Sequence, residues 1–275
     1  NDDELALLFA VCHPALSPET RVTFALKTVC GLTVPQIAAV MGMLLLAERF
    51  GGIGNWSKYQ VLFLLGYGGL VDGIINVFFG YNVAFISRRL GRGQFDHTLI
   101  QPQPIVVSLL TEGFNPAFGL PSLLPGTVLL GIALPHLVLP QIAGWWFLFA
   151  INMVASVAVV LAFQFAFGSL AFRAPRATEE ISSSTMHLLM QLKSFPLDGL
   201  GAVLTGSLLT AVPVGGVAWL PCRALLGMGG GVTSYWLTPL LSMVLALVAV
   251  VTFWKGLQYY GRVGSQRYSN FGHRN

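Results

Sequence analysis

Residues 145–171 read WWFLFAINMVASVAVVLAFQFAFGSLA, a run that contains no charged side chain. A helix needs about 20 apolar residues to cross the hydrocarbon core of a bilayer, so this run is long enough to span a membrane. The composition of the whole chain agrees with that interpretation. Of its 275 residues, 55% are hydrophobic and only 9% are charged, whereas soluble domains carry about 25% charge.

Comparable apolar runs predict an all-α, polytopic membrane protein with six spans. Besides 145–171, the runs lie roughly at 29–47, 60–86, 117–139, from 183 to a break at Phe195-Pro196, and at 236–255. Residues 197–231 are also apolar, but they are rich in Gly and Pro. We expect them to form short re-entrant helices on the outer side after span five, where protein or water covers the free backbone groups.

The basic residues predict the orientation, because Lys and Arg accumulate on the cytoplasmic side of a membrane. If the segment before the first span is cytoplasmic, eleven of the fifteen Lys and Arg residues fall on that side. The outer side keeps Arg49, Lys58, Lys193 and Arg223. This count predicts that both termini are cytoplasmic, and that the loop between spans two and three is cytoplasmic as well.

That loop includes residues 88–104, RRLGRGQFDHTLIQPQP, a polar stretch between two apolar runs. Its glycines free the backbone, and Asp96 is expected to cap a short helix that Pro102 and Pro104 end. A short helix flanked by arginines suits the docking of a soluble partner. The residues alone leave a second interpretation open, in which the loop is a solvated connection that follows the positive-inside bias.

The loop resembles the cytoplasmic loop of type-2 ABC exporter permeases, the drug and lipid efflux permeases, in which G-x-x-D-x-x-L-x-x-P recurs. This chain matches the pattern at Gly93, Asp96, Leu99 and Pro102. It departs at Gln94 and Gln101, where acidic and basic residues are common. The resemblance covers about residues 42–275, because segments 51–66, 168–174, 195–200, 212–227 and 253–274 resemble further parts of the same permeases in the same order.

The resemblance implies a permease subunit in the bacterial inner membrane, which is no enzyme and pairs with itself or with a sister permease. A separate ATP-binding subunit would hold ATP and Mg²⁺, so this chain is expected to bind neither a cofactor nor a metal. The phosphate-binding motif G-x-x-x-x-G-K-[ST] is absent from the sequence, which agrees with ATP binding by a separate subunit. The coupling helix residues expected to contact the ATPase are Arg92, Gly93, Gln94, Phe95, Asp96, His97 and Leu99.

Residues 2–38 resemble the start of the promoter-reading region of an extracytoplasmic-function sigma factor. Ser17 and Pro18 are typical of a helix start, and Gly31 of a helix end. A recognition helix with basic residues should follow, but an apolar run occupies that place, so no nucleic-acid partner is expected. We interpret residues 1–38 as a non-functional or artefactually fused fragment, joined to a permease domain at 39–275.

Asp72 lies within predicted span two, where a charged side chain is costly and usually functional. Gly69 and Gly73 form a small-xxx-small pair that allows another helix to approach closely. Asp72 therefore either faces the transport pathway or is a buried packing residue, and Asp72→Asn is expected to leave folding intact. Two other functions stay open: an ion-coupled secondary transporter with Asp72 as relay, and a membrane-tethered transcription regulator.

Overall fold

The computed structural model describes residues 42, 55–80, 86–193 and 195–264. Within these ranges the chain is helical and contains no β-strand. Predicted span one falls almost wholly outside the described residues, as does the sigma-factor-like segment. The α-helices are α1 Lys58–Phe78, α2 Ile86–Gly91, α3 Phe95–Leu99, α4 Ile105–Thr111, α5 Pro116–Ala133, α6 Trp145–Leu170, α7 Pro175–Leu192, α8 Ala202–Thr210, α9 Val214–Val217, α10 Trp219–Leu225 and α11 Ser234–Val263.

Among the described residues, four helices are long and apolar enough to cross a membrane. They are α1, α5 with the 3-10 turn Leu134–His136 that follows it, α6 and α11. These helices correspond to predicted spans two, three, four and six, so the chain is a polytopic, all-helical membrane protein. The fifth predicted span corresponds to α7, whose first half carries Glu179 and Glu180 and which is not among the four.

Helix α1 begins at a capping box and ends earlier than the apolar run predicts. The Ser57 hydroxyl accepts from the Gln60 backbone N–H, and the Gln60 side chain accepts from the Ser57 N–H at 2.8 Å. The helix ends at Phe78, whereas the predicted span extends to 86. Gly80 adopts a positive φ of 56° next to the Gly113 backbone, so the chain turns there and Ile86 begins a separate helix.

Helices α1 and α5 approach each other closely along a row of glycines. A Cβ added at Gly69 would lie 3.1 Å from the Gly126 Cα, and one at Gly73 would lie 2.9 Å from the Leu123 backbone nitrogen. Because these neighbours are backbone atoms, only glycine fits at this separation. Gly69 and Gly73 therefore lie on the face of α1 that packs against α5, as small residues do where membrane helices meet.

Helices α6 and α11 are joined by a buried polar side chain. Pro239 lies inside α11 and has no N–H, so the carbonyl of Tyr235 loses its usual intrahelical donor. Asn152 of α6 supplies a replacement, because its Nδ2 donates to the Tyr235 carbonyl at 3.2 Å. This polar residue within an apolar span thus satisfies a backbone group of the neighbouring helix.

Two groups of short helices lie at opposite ends of the bundle. At one end, the Trp145 indole N–H at the start of α6 donates to the Leu225 carbonyl of α10 at 2.9 Å. At the other, Phe172, just beyond α6, packs against Phe95 of α3. We call residues 86–111 the loop end and residues 196–231 the cap end. The Gly- and Pro-rich cap end is broken into short helices, and its side of the membrane stays a prediction.

Candidate functional site

The predicted coupling helix corresponds to α3, which is short and starts two residues earlier than the sequence indicates. Gly93 has a φ of 70° and makes the turn from α2 into α3. Gln94 occupies the N-cap position without a side-chain cap, so the expectation that Asp96 caps the helix was wrong. Asp96 lies in the first turn, and its Oδ1 accepts a hydrogen bond from the Tyr260 hydroxyl at 2.6 Å.

One side of α3 is fixed to the protein interior. Phe95 is completely buried, and its ring lies 5.3 Å from that of Phe172 and 5.6 Å from that of Tyr260. Thr98, three residues further along the same face, is also buried. Phe95 therefore holds the helix in place, and its side chain is not accessible to a partner in this conformation.

The other side of α3 is open. Arg92, Gln94 and His97 are exposed, and Leu99 is exposed over 42% of its surface. Ile100 follows the helix and is 80% exposed, although the sequence-based set of contact residues left it out. The signal was present in the sequence, because Leu99 and Ile100 form an apolar pair with polar residues on either side. The open side combines a positive charge, polar groups and an apolar tip.

Two ion pairs orient α2, the helix that precedes α3. Arg88 Nε lies 3.0 Å from Glu179 Oε1 of α7, and Arg89 Nη1 lies 2.6 Å from Glu112 Oε2 after α4. Exposed pairs of this kind contribute little stability individually, about 0–1 kcal/mol. Their geometric effect is clearer, since they connect α2 to two different segments and so restrict where α3 can lie.

Asp72 has a charged partner within the helix bundle. Its Oδ2 forms an ion pair with the Nζ of Lys193, at the end of α7. The Lys193 side chain is only 7% exposed and that of Asp72 is 23% exposed. The charge count assigned Lys193 to the outer side, and that side stays a prediction, whereas the ammonium group itself is buried beside a carboxylate of α1.

An acidic residue that sequence reasoning overlooked organises the cap end. The Asp198 carboxylate accepts indole N–H groups from Trp56 at 2.5 Å and from Trp219 at 2.7 Å. Arg223 lies 2.8 Å from the other carboxylate oxygen and stacks over the Trp219 ring at 4.9 Å. This cluster attaches the short cap helices to the start of α1. The sequence signal was a single carboxylate in an apolar segment, where an unpaired charge is costly.

Comparison with known proteins identifies the family. The sequence model of the family described as "ABC-2 family transporter protein" matches residues 33–264, most of the chain. No curated protein and no solved structure matches the chain. The sigma-factor resemblance of residues 2–38 receives no support, and the family match begins within that segment. With its long apolar helices and this match over residues 33–264, the chain belongs to the ABC-2 family of transporter proteins.

Proposed function

We propose that this permease is the non-enzymatic membrane subunit of an ATP-driven exporter, and that its ATP-binding partner docks on the open side of α3. The observation that carries the proposal is the two-sided character of that helix. Phe95 and Asp96 attach one side to the bundle, while Arg92, His97 and Leu99 face outward. A surface that receives a mechanical input needs both a free face and a firm attachment.

The chemistry of the open side favours a soluble protein partner. Leu99 and Ile100 expose apolar surface at the polar end of the molecule, and polar residues surround them. Protein interfaces typically have such an arrangement, with apolar anchors inside a polar rim. Gly93 gives the backbone turn that presents the helix, and Gln94 and His97 supply hydrogen-bonding groups next to the apolar tip.

The proposal includes a topology and an assembly. The permease would have six spans, with residues 29–47 as the first and α7 as the fifth, and both termini in the cytoplasm of a bacterial cell. The clustering of Arg88, Arg89, Arg92, Arg173 and Arg176 near the loop end supports a cytoplasmic location for that end. Two permeases, identical or sister chains, would pair with two ATPase subunits that hold ATP and Mg²⁺.

The structure gives no support to ion-coupled transport as a second function. A relay carboxylate must exchange protons or ions with a pathway. Asp72 is instead engaged by the ammonium group of Lys193. We therefore interpret Asp72 as a structural residue.

Site-specific photocrosslinking in the native host tests the proposed docking surface. A photoreactive amino acid at His97 or at Ile100 should give an adduct with a soluble protein that carries a P-loop, identified by mass spectrometry. The matched control is Val138, which is 96% exposed but lies between α5 and α6, towards the cap end. Adducts with the ATPase at Val138 but not at the two α3 positions would contradict the proposal, and so would the absence of any ATPase adduct.

A further inference from the structure

Two segments that are far apart in sequence meet at the loop end. The Tyr260 hydroxyl, near the end of α11, donates a 2.6 Å hydrogen bond to Asp96 of α3 across 164 residues of sequence. Tyr260 is only 4% exposed, and its ring contacts that of Phe95 edge-on, with 5.6 Å between centroids. The helix expected to receive a partner is thus bonded directly to the last membrane span.

The contact continues into the bundle through a cluster of aromatic rings. Phe172 lies 5.3 Å from Phe95, 5.8 Å from Tyr260 and 5.6 Å from Phe253 of α11. Gly256 brings α11 close to this cluster, because an added Cβ would lie 3.1 Å from the Ser169 carbonyl of α6. Edge-to-face rings at these separations stabilise a fixed arrangement. Helix α3 and the adjoining ends of α6 and α11 therefore form one packed unit.

Packing and hydrogen bonding restrict different motions of that unit. Closely packed interiors resist continuous deformation, so a displaced ring pushes its neighbours. Rings can still slide along one another, whereas a short hydrogen bond to a carboxylate is directional and about twice as strong as a neutral one. The hydrogen bond is therefore a contact that would make α11 follow α3 in both directions.

We propose that Tyr260, through its hydrogen bond to Asp96, is the positioning residue that makes the last membrane span move with the coupling helix. This inference rests on the proposed function, since it takes a partner bound to α3 as the source of the movement. It assigns Tyr260 a role in transmission and none in binding the partner or the transported compound.

The variant Tyr260→Phe tests this role, because it removes the hydroxyl and keeps the ring in the aromatic cluster. The matched control is Tyr259→Phe on the same helix, where Arg173 lies 5.7 Å from the ring centroid and the ring is retained. A second variant, Asp96→Asn, keeps an oxygen that can accept from Tyr260 but loses the charge. We expect Tyr260→Phe to lose the coupled movement, Asp96→Asn to reduce it and Tyr259→Phe to retain it.

The movement is measured with spin labels in the complex of permease and ATPase, reconstituted in nanodiscs, with and without a non-hydrolysable ATP analogue. One label replaces Leu247 on the exposed face of α11, at 66% exposure, and the other replaces Phe118 at the start of α5, at 72% exposure. The native cysteines Cys12, Cys30 and Cys222 are replaced by serine in all variants. Co-purification of the ATPase is measured for each variant in the same preparations.

A nucleotide-dependent change of the label distance that is lost in Tyr260→Phe, with the ATPase still bound, supports the inference. The same change in Tyr260→Phe as in the unmodified chain would overturn it, and so would no change in the unmodified complex. If Tyr260→Phe fails to fold, Asp96→Asn gives the decision, because an undiminished change in that variant would also overturn the inference. If no ATPase binds the unmodified permease, the proposed function fails, and this outcome is distinct from the others.

Discussion

Removing the carboxylate of Asp72 is expected to destabilise the permease, because it leaves the buried Lys193 ammonium group without an anion. The pair connects the middle of α1 to the end of α7 across 121 residues of sequence. Asp72→Asn preserves the shape of the side chain and one acceptor oxygen, but it removes the negative charge. This expectation differs from the one drawn from sequence alone, in which the same substitution leaves folding intact.

The expected size of the effect follows from the burial of the two groups. Breaking a buried ion pair by removing one partner costs about 3–5 kcal/mol. Because the Asp72 side chain retains 23% exposure and Lys193 only 7%, we expect the lower end, about 3 kcal/mol, for Asp72→Asn. That free energy corresponds to a shift of roughly a hundredfold in the unfolding equilibrium. The double variant Asp72→Asn/Lys193→Met removes both charges, so it should recover most of the lost stability.

Reversible unfolding of the purified permease in mixed micelles, titrated with SDS and followed by tryptophan fluorescence, gives the free energies for a double-mutant cycle. Lys255→Met is the control for loss of an exposed cation, with an expected change within about 0.5 kcal/mol. The reasoning is refuted if Asp72→Asn behaves like this control. It is equally refuted if the costs of the two single substitutions simply add in the double variant.

Two further predictions use the same unfolding assay. Gly126→Ala should cost about 1–3 kcal/mol, because its Cβ would lie 2.8 Å from a backbone nitrogen of α1. Gly131→Ala on the same helix places a Cβ that meets nothing within 4 Å, so it should be neutral or slightly stabilising. Equal effects at the two positions would contradict the close packing of α5 against the backbone of α1. Trp219→Phe removes an indole N–H that donates to Asp198 and should cost about 1.5–3 kcal/mol. The half-exposed Trp254→Phe is its control, and a Trp219→Phe variant as stable as that control would exclude an energetic role for the hydrogen bond from Trp219 to Asp198.

Much of the helical framework could be predicted because partition into a membrane depends on local composition. The uninterrupted run 145–171 became one helix with nearly the same bounds, Trp145–Leu170. Where the bounds of an apolar run differ from those of the helix, tertiary contacts determine where the helix ends. The run predicted to end at 86 is divided, because Gly80 turns beside the backbone of Gly113 and Ile86 begins a helix of the loop end.

The polar partnerships could not be predicted, because each joins residues that are distant in sequence. Sequence identifies a costly group such as Asp72 from its surroundings, but the partner depends on how helices pack. Lys193 is an example, since a count of charges treats every Lys as a residue of the membrane surface and does not reveal a buried partner. No sequence pattern singled out Asp198, although two tryptophans and an arginine contact its carboxylate.

The helix pair α1–α5 and the helix pair α6–α11 are held together by different contacts, and this difference indicates which helix moves. In its most apolar part, 61% of α1 is buried, compared with 22% of α11. Helix α1 is interlocked with α5 at the level of the backbone, so separating or sliding the two requires backbone shifts. Helix α11 instead buries only a narrow stripe of residues, and its close approach to the α6 backbone is at Gly256, so fewer backbone contacts would have to shift.

Helix α11 is also attached at both ends. Tyr260 is bonded to Asp96 at the loop end, and the Tyr235 carbonyl is bonded to Asn152 near the start of α6. These two attachment points are 25 residues apart, which corresponds to about 38 Å along a helix. Pro239 removes one backbone hydrogen bond near the Tyr235 end, but α11 contains no further proline, so its hydrogen-bonded backbone can transmit axial displacement along most of that length. With α1 and α5 as the fixed frame, α11 is the element that would carry a displacement of α3 across the membrane to the cap end.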